Sequence, residues 1–131
     1  MNKRYLIGIL TILFLFLVLF LLLKNKNNSA LDYKINGRNY RLLTATNQQQ
    51  WEKGLMFVRK LDNTDGMIFL FPDRQYRTFW NKNTLMDLDL YWLNDDTVVG
   101  QSFLPSIEKS QQTVTVTSPE PINKVVELIR K

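Results

Sequence analysis

The chain has 131 residues and neither histidine nor cysteine, which excludes disulfides, thiolate or imidazole metal sites, cysteine nucleophiles and serine–histidine–aspartate triads. Any catalysis would have to run on carboxylates, lysine, tyrosine or hydroxyls. The net charge of +5 is uneven: residues 1–30 hold Lys3, Arg4, Lys24 and Lys26 and no acid, whereas residues 31–131 hold 13 basic and 12 acidic side chains. That near balance leaves no concentrated basic face for a nucleic acid.

Residues 1–4 form a short basic tail. From Tyr5 to Leu23 the chain carries no charge and one hydroxyl, Thr11. At about 1.5 Å per residue such a helix approaches the ~30 Å hydrocarbon thickness of a bilayer. It is apolar on every side rather than amphipathic, so a single transmembrane helix over residues 5–23 is expected. A cleavable signal peptide has a shorter apolar region ending in a small-x-small site. Asn28-Ser29-Ala30 lacks a small residue at its first position, so the expectation is an uncleaved signal-anchor. Lys3 and Arg4 favour a cytoplasmic N-terminus and an extracytoplasmic domain, although Lys24 and Lys26 place cations on the other side as well. Residues 24–31 read as a polar tether and residues 32–131 as one soluble β domain.

Within that domain Tyr33-Lys34-Ile35 and Tyr40-Arg41-Leu42-Leu43 flank Asn36-Gly37, a type I′ hairpin signal. Thr46-Asn-Gln-Gln49 matches a capping box that opens a short helix over Asn47–Lys53. Gly54 is placed to end it in the left-handed conformation. After a polar loop, Gly66–Phe71 reads as a buried strand broken at Pro72-Asp73. Tyr76–Trp80, Leu88–Leu93, Thr97–Phe103 and Thr113–Thr117 read as further strands, with a turn at Asn94-Asp95-Asp96. Ser118-Pro-Glu-Pro121 is expected to open a final helix, in which Ile122, Val125, Val126 and Ile129 form one apolar stripe. Some seven strands with one or two short helices predict a mainly β domain, closed as a barrel or packed as a sandwich.

Three segments carry a resemblance. They are Gly54-Leu55-Met56-Phe57 followed by Arg59, then Asp65-Gly66-Met67-Ile68-Phe69-Leu70-Phe71-Pro72, then Phe79-Trp80-Asn81-Lys82-Asn83-Thr84-Leu85 leading to Leu88-Asp89-Leu90. In order and spacing they resemble the domain-of-unknown-function 192 family of bacteria and archaea. The resemblance implies a compact β domain of jelly-roll-like topology, secreted or anchored by an N-terminal segment, and it implies no activity. Asn81 stands where the family usually has methionine, and Met86-Asp87 where it often has isoleucine-proline.

The candidate ligand-binding residues are Trp80, Lys82, Asn83 and Thr84, with Asp89 beyond them and Arg59 upstream. A tryptophan beside a lysine, an amide and a hydroxyl offers a stacking face with donors and acceptors, at a strand junction where functional side chains are often displayed. The same residues also suit a structural role: Trp80 in the core, Asn83 and Thr84 in a turn, Lys82 paired with Asp87 or Asp89, and Arg59 paired with Asp62 or Asp65. Asp87 and Asp89 alternate on one strand, but without further oxygen ligands they make a weak metal signal. A serine–lysine dyad from Ser106 or Ser110 with Lys82 or Lys109 has chance-level support. No metal or cofactor is expected. The reading that follows is a non-enzymatic binding or accessory module tethered to the bilayer through residues 5–23. It would serve an envelope protein or a small polar ligand and no nucleic acid. The alternative is an envelope hydrolase or lyase built on Asp87, Asp89 and Lys82.

Overall fold

The structure, a computed structural model, describes residues 3–24 and 29–131. Side chains in the first helix are described at 5 and 7–20. That helix, α1, runs Lys3–Lys24, and its described side chains are exposed apart from the half-buried Val18. Among the described residues no helix is long and apolar enough to cross a membrane. The first two residues of the basic tail, and residues 25–28 of the expected tether, lie outside the described part.

The first two strands, β1 (Ala30–Ile35) and β2 (Arg38–Ala45), form the expected hairpin. Asn36 and Gly37 both take positive φ, 49° and 84°, as a type I′ turn requires. The short helix α2 (Gln48–Lys53) is capped one residue later than the sequence pattern suggests. Asn47 Oδ1 accepts from Gln50 N at 3.0 Å, while Gln50 Oε1 accepts from Thr46 N at 2.8 Å. Gly54 ends α2 with φ 47° but ψ −132°, outside the left-handed helical region that the sequence predicts.

Strand β3 (Gly66–Gln75) runs parallel to β2 and continues past Pro72 instead of stopping there. Its pairing does lapse: the register with its other neighbour shifts between Leu70 and Gln75, because proline has no N–H to give the ladder. The next four elements are β4 (Thr78–Trp80), β5 (Leu88–Asn94), β6 (Thr97–Leu104) and a single turn of helix, α3 (Ile107–Ser110). Strand β7 is short, Thr115–Thr117.

The last segment, Ile122–Ile129, is a strand, β8, and not a helix. It lies in the sheet interior between β3 and β5, antiparallel to both. The 122-125-126-129 spacing fits a helical stripe, but Val125, Val126, Glu127 and Leu128 are all buried. A strand covered on both faces buries consecutive residues, and β-branched side chains suit it.

Six strands form one sheet in the order β1-β2-β3-β8-β5-β6, and β4 pairs with β7 in a second sheet of two. The domain is therefore mainly β, as expected, but the sheet is not closed into a barrel. Side chains link its two ends, where Tyr33 Oη donates to Asp96 Oδ1 at 2.7 Å. Two apolar clusters cover its faces. One contains Met67, Phe69, Leu88, Leu90, Trp92 and Val125, with Phe79 and Val116 of the small sheet and Trp51 of α2 packed on it. The other contains Ile35, Leu42, Ile68, Leu93, Val126 and Leu128.

Candidate functional site

A cavity opens onto the first cluster between α2 and β4. There Gln48, Trp51 and Glu52 form one wall of a cavity of about 280 Å³, and Thr78, Phe79 and Trp80 form the other, with Phe71 and Arg77 completing it. A narrow throat of about 30 Å³ shares Trp51, Glu52, Phe79 and Trp80 with this mouth and reaches Met56, Phe69, Thr84 and Glu127. Local chemistry sets each wall. The Trp51 indole is oriented by its Nε1–H, which donates to Ala45 O at 3.0 Å, and packs on Phe71 with ring centroids 5.0 Å apart. Phe79 sits edge-on to both Phe69 and Trp92, at 4.9 and 5.7 Å.

Trp80 is 48% exposed, so the core does not absorb it. The Lys82 Nζ lies 5.1 Å from the centre of its ring, a cation–π contact of modest strength at an exposed site. Arg77 stacks on Phe71 at 4.1 Å and pairs with Asp73, yet its Nε is buried without a hydrogen-bond partner.

Glu127 is the least expected member of this region. It is 5% exposed, and its Oε2 is buried with no hydrogen-bond partner. In register it lies between Met67 of β3 and Leu90 of β5, two residues of the first apolar cluster. Burial alone pushes its carboxyl up to about 8, so at neutral pH it is held protonated as a neutral acid. The sequence contains a signal for it, a lone carboxylate inside Val125-Val126-Glu127-Leu128-Ile129. Read as a helix, that segment puts Glu127 off the apolar stripe, and so it is missed.

The predicted site residues divide. Trp80 and Thr84 line the cleft, and Lys82 covers Trp80. Thr84 is buried, and its hydroxyl makes only a long contact to Lys82 O at 3.5 Å. Asn83 takes φ 57°, and its carbonyl accepts from Phe57 N at 2.8 Å, so it serves the turn. Phe57 is itself 70% exposed at φ 63°, an uncommon conformation for a bulky side chain. The residue that holds this loop is Asn81, fully buried: its Nδ2 donates to Pro105 O and Ser110 Oγ, and its Oδ1 accepts from Val114 N.

Asp89 and Arg59 lie away from the cleft. Asp89 is 3.7 Å from Arg130 Nε and lines a separate cavity with Arg38, Tyr40 and Tyr91. Arg59 pairs with Glu108 at 2.8 Å, not with Asp62 or Asp65; Asp62 pairs with Lys60. Another cavity, of about 610 Å³, holds Arg59 with Asp87 and Lys109, but its charges answer one another. Asp87 accepts from Lys109 Nζ and from Ser106 N, and these contacts hold its carboxyl below the usual range. Lys82 is thus paired with neither aspartate, and Asp87 and Asp89 face different partners. Ser106 Oγ caps α3 by accepting from Lys109 N, and Ser110 Oγ donates to backbone carbonyls, so no serine–lysine dyad forms. Among the described residues there is no cluster of three or more metal-ligating side chains.

Two solved structures are similar to this chain. One is a protein of Sinorhizobium meliloti 1021 described as a candidate transcription regulator, 29% identical, with TM-score 0.60 over 75% of this chain and 76% of that one. The other is a protein of unknown function from Novosphingobium aromaticivorans DSM 12444, 22% identical, with TM-score 0.58 over 77% of this chain and 81% of that one; it shows the fold alone. Among curated proteins none matches the sequence. The model of the DUF192 family, described as an uncharacterised ACR, matches residues 31–131, from the first strand of the domain to the last residue, and the chain belongs to that family.

Proposed function

We propose that this protein is a membrane-tethered, extracytoplasmic and non-enzymatic binding module that takes its ligand in the cleft between α2 and β4. The observation that carries the reading is Trp80: a half-exposed indole at the mouth of a cavity walled by three further aromatic rings. An exposed aromatic beside convergent polar groups is the usual composition of a ligand pocket. The tether rests on the uncharged run Tyr5–Leu23 and on apolar side chains from Ile7 to Phe20 that face outward and not into a core. The six-plus-two strand arrangement is, in this reading, an opened variant of the jelly-roll-like topology.

The hydrolase or lyase reading on Asp87, Asp89 and Lys82 draws no support, since those three groups have separate partners. Nor does the regulator description of the Sinorhizobium protein carry over, because the domain's charges nearly balance.

Two experiments test this reading. The chain has no cysteine, so Asn63→Cys in the exposed loop before β3 provides a single thiol. A membrane-impermeant maleimide should label it in intact cells, and labelling only after lysis would place the domain in the cytoplasm. For the cleft, saturation-transfer NMR of the full chain in detergent is run against small polar probes: chitotetraose, maltotetraose, spermidine and trialanine. At least one should bind and lose its signal in Trp80→Ala; if none binds, the binding-module reading falls.

A further inference from the structure

We infer that the cleft takes a saccharide: a neutral hydroxylated ring that stacks on Trp80 and exchanges hydrogen bonds with Glu127 at the floor and Arg77 at the side. The inference rests on the binding reading above and adds the chemical class of the ligand.

Among the described residues three buried side-chain polar atoms lack partners, and two of them, Glu127 Oε2 and Arg77 Nε, belong to residues of this cleft, the third being Asn94 Oδ1 at the far end of β5. Leaving such groups unsatisfied is costly, and folded chains rarely do so without a reason. A hydroxyl both donates and accepts, so it can satisfy the guanidinium N–H and either oxygen of a protonated carboxyl. An ammonium only donates, so it could satisfy neither Arg77 Nε–H nor the O–H of a protonated acid.

Charge points the same way. The titratable groups around the cleft are Glu52 and Lys53 on α2, Arg77 and Lys82 flanking β4, and Glu127 on β8. Glu127 retains its proton up to about pH 8. Asp73, paired with Arg77, offsets one of the three cations, and with Glu127 protonated the region carries no net negative charge to draw a cation.

Shape completes the argument. A pyranose offers one apolar C–H face for an aromatic ring and hydroxyls around its rim. Trp80 supplies the platform, with Gln48, Glu52 and Thr78 as rim partners. The mouth, about 280 Å³, lies at the small end of ligand pockets, sized for a ring and not for a folded peptide. The throat, about 30 Å³, admits an exocyclic hydroxyl and nothing larger.

The test is isothermal titration of the full-length chain in detergent with chitotetraose, cellotetraose and maltotetraose, and with spermidine and trialanine as contrasts. At least one oligosaccharide should bind saturably. Trp80→Ala and Glu127→Leu should each weaken it at least about tenfold, whereas Glu127→Gln, which keeps a neutral donor and acceptor, should stay within about threefold. Circular dichroism confirms that each variant is folded. Binding of spermidine or trialanine with none of the oligosaccharides would overturn the saccharide inference and leave the binding reading standing. Oligosaccharide binding untouched by Glu127→Leu, or lost in Glu127→Gln, would overturn the part given to Glu127. Silence of every probe would remove both readings.

Discussion

Glu127 makes the stability of this domain depend on pH in an unusual direction. Its carboxyl is pushed from an ordinary 4.5 up to about 8 by burial. The folded chain therefore keeps a proton that the unfolded chain releases at lower pH. Stability that is complete below pH 4.5 is lost progressively as pH rises to about 8, by on the order of 3–5 kcal/mol. Glu127→Gln should remove most of that slope in urea denaturation compared near pH 5 and near pH 8.5. Glu127→Leu should do the same and raise the midpoint at every pH, because an apolar side chain replaces an unpartnered buried acid. An unchanged slope would mean that the carboxyl is solvated. A second residue acts beside it. At Gly66 a β-carbon would collide with the Glu127 carbonyl oxygen, so β3 can approach β8 only without a side chain there. Gly66→Ala should cost more than about 3 kcal/mol and lower the melting temperature by well over 10 °C.

At the scale of elements, the turn after β4 depends on Asn81. Its side-chain hydrogen bonds with Pro105 O, Ser110 Oγ and Val114 N tie β4 to α3 and to the approach of β7. Asn81→Ala would leave buried backbone groups unpaired and should cost about 2–4 kcal/mol, measured as a lowered urea midpoint. Asn83→Gly should be neutral or slightly stabilising, since its φ is already positive. Local elements of this domain were legible in the sequence. Asn36-Gly37, the short helix α2 though not its caps, and the strands around Phe69, Leu90 and Val99 declare themselves through turn residues and short-range periodicity. Two elements were not. The segment Ile122–Ile129 has a spacing that suits either period, and its pairing with β3 and β5 decides between them. The single turn α3 is too short to show any periodicity, and Asp87 and Ser106, which hold it, are brought together only by folding.

For the whole molecule the decisive feature is the sheet order, which places the last strand inside the sheet, between β3 and β5. The open ends of that sheet are joined by Tyr33, Asp96 and Lys124, with Lys124 Nζ 2.7 Å from Asp96 Oδ1. Burial and the Asp96 carboxylate hold the Tyr33 hydroxyl in its protonated form. Tyr33→Phe should cost only about 0.5–1.5 kcal/mol in thermal unfolding. It should leave binding in the cleft unchanged, because the contact lies with the second apolar cluster and the cleft with the first. A loss of binding in that variant would indicate that closure of the sheet shapes the cleft.

By itself the sequence determined the apolar run Tyr5–Leu23, the hairpin, the absence of histidine and cysteine chemistry, and three ordered motifs that match one family. Each of these is local, set by composition, by turn geometry, or by residues a few positions apart. Trp80 was legible as a candidate for the same reason, since its polar neighbours adjoin it in the chain. Only the tertiary structure decided what surrounds it. Trp51, Phe71 and Glu127 come from three elements far apart in the chain, and no periodicity links them. The unpartnered carboxyl at the base of the cleft exists because β8 is inserted between β3 and β5, and strand order is a property of long-range pairing that short-range pattern does not encode.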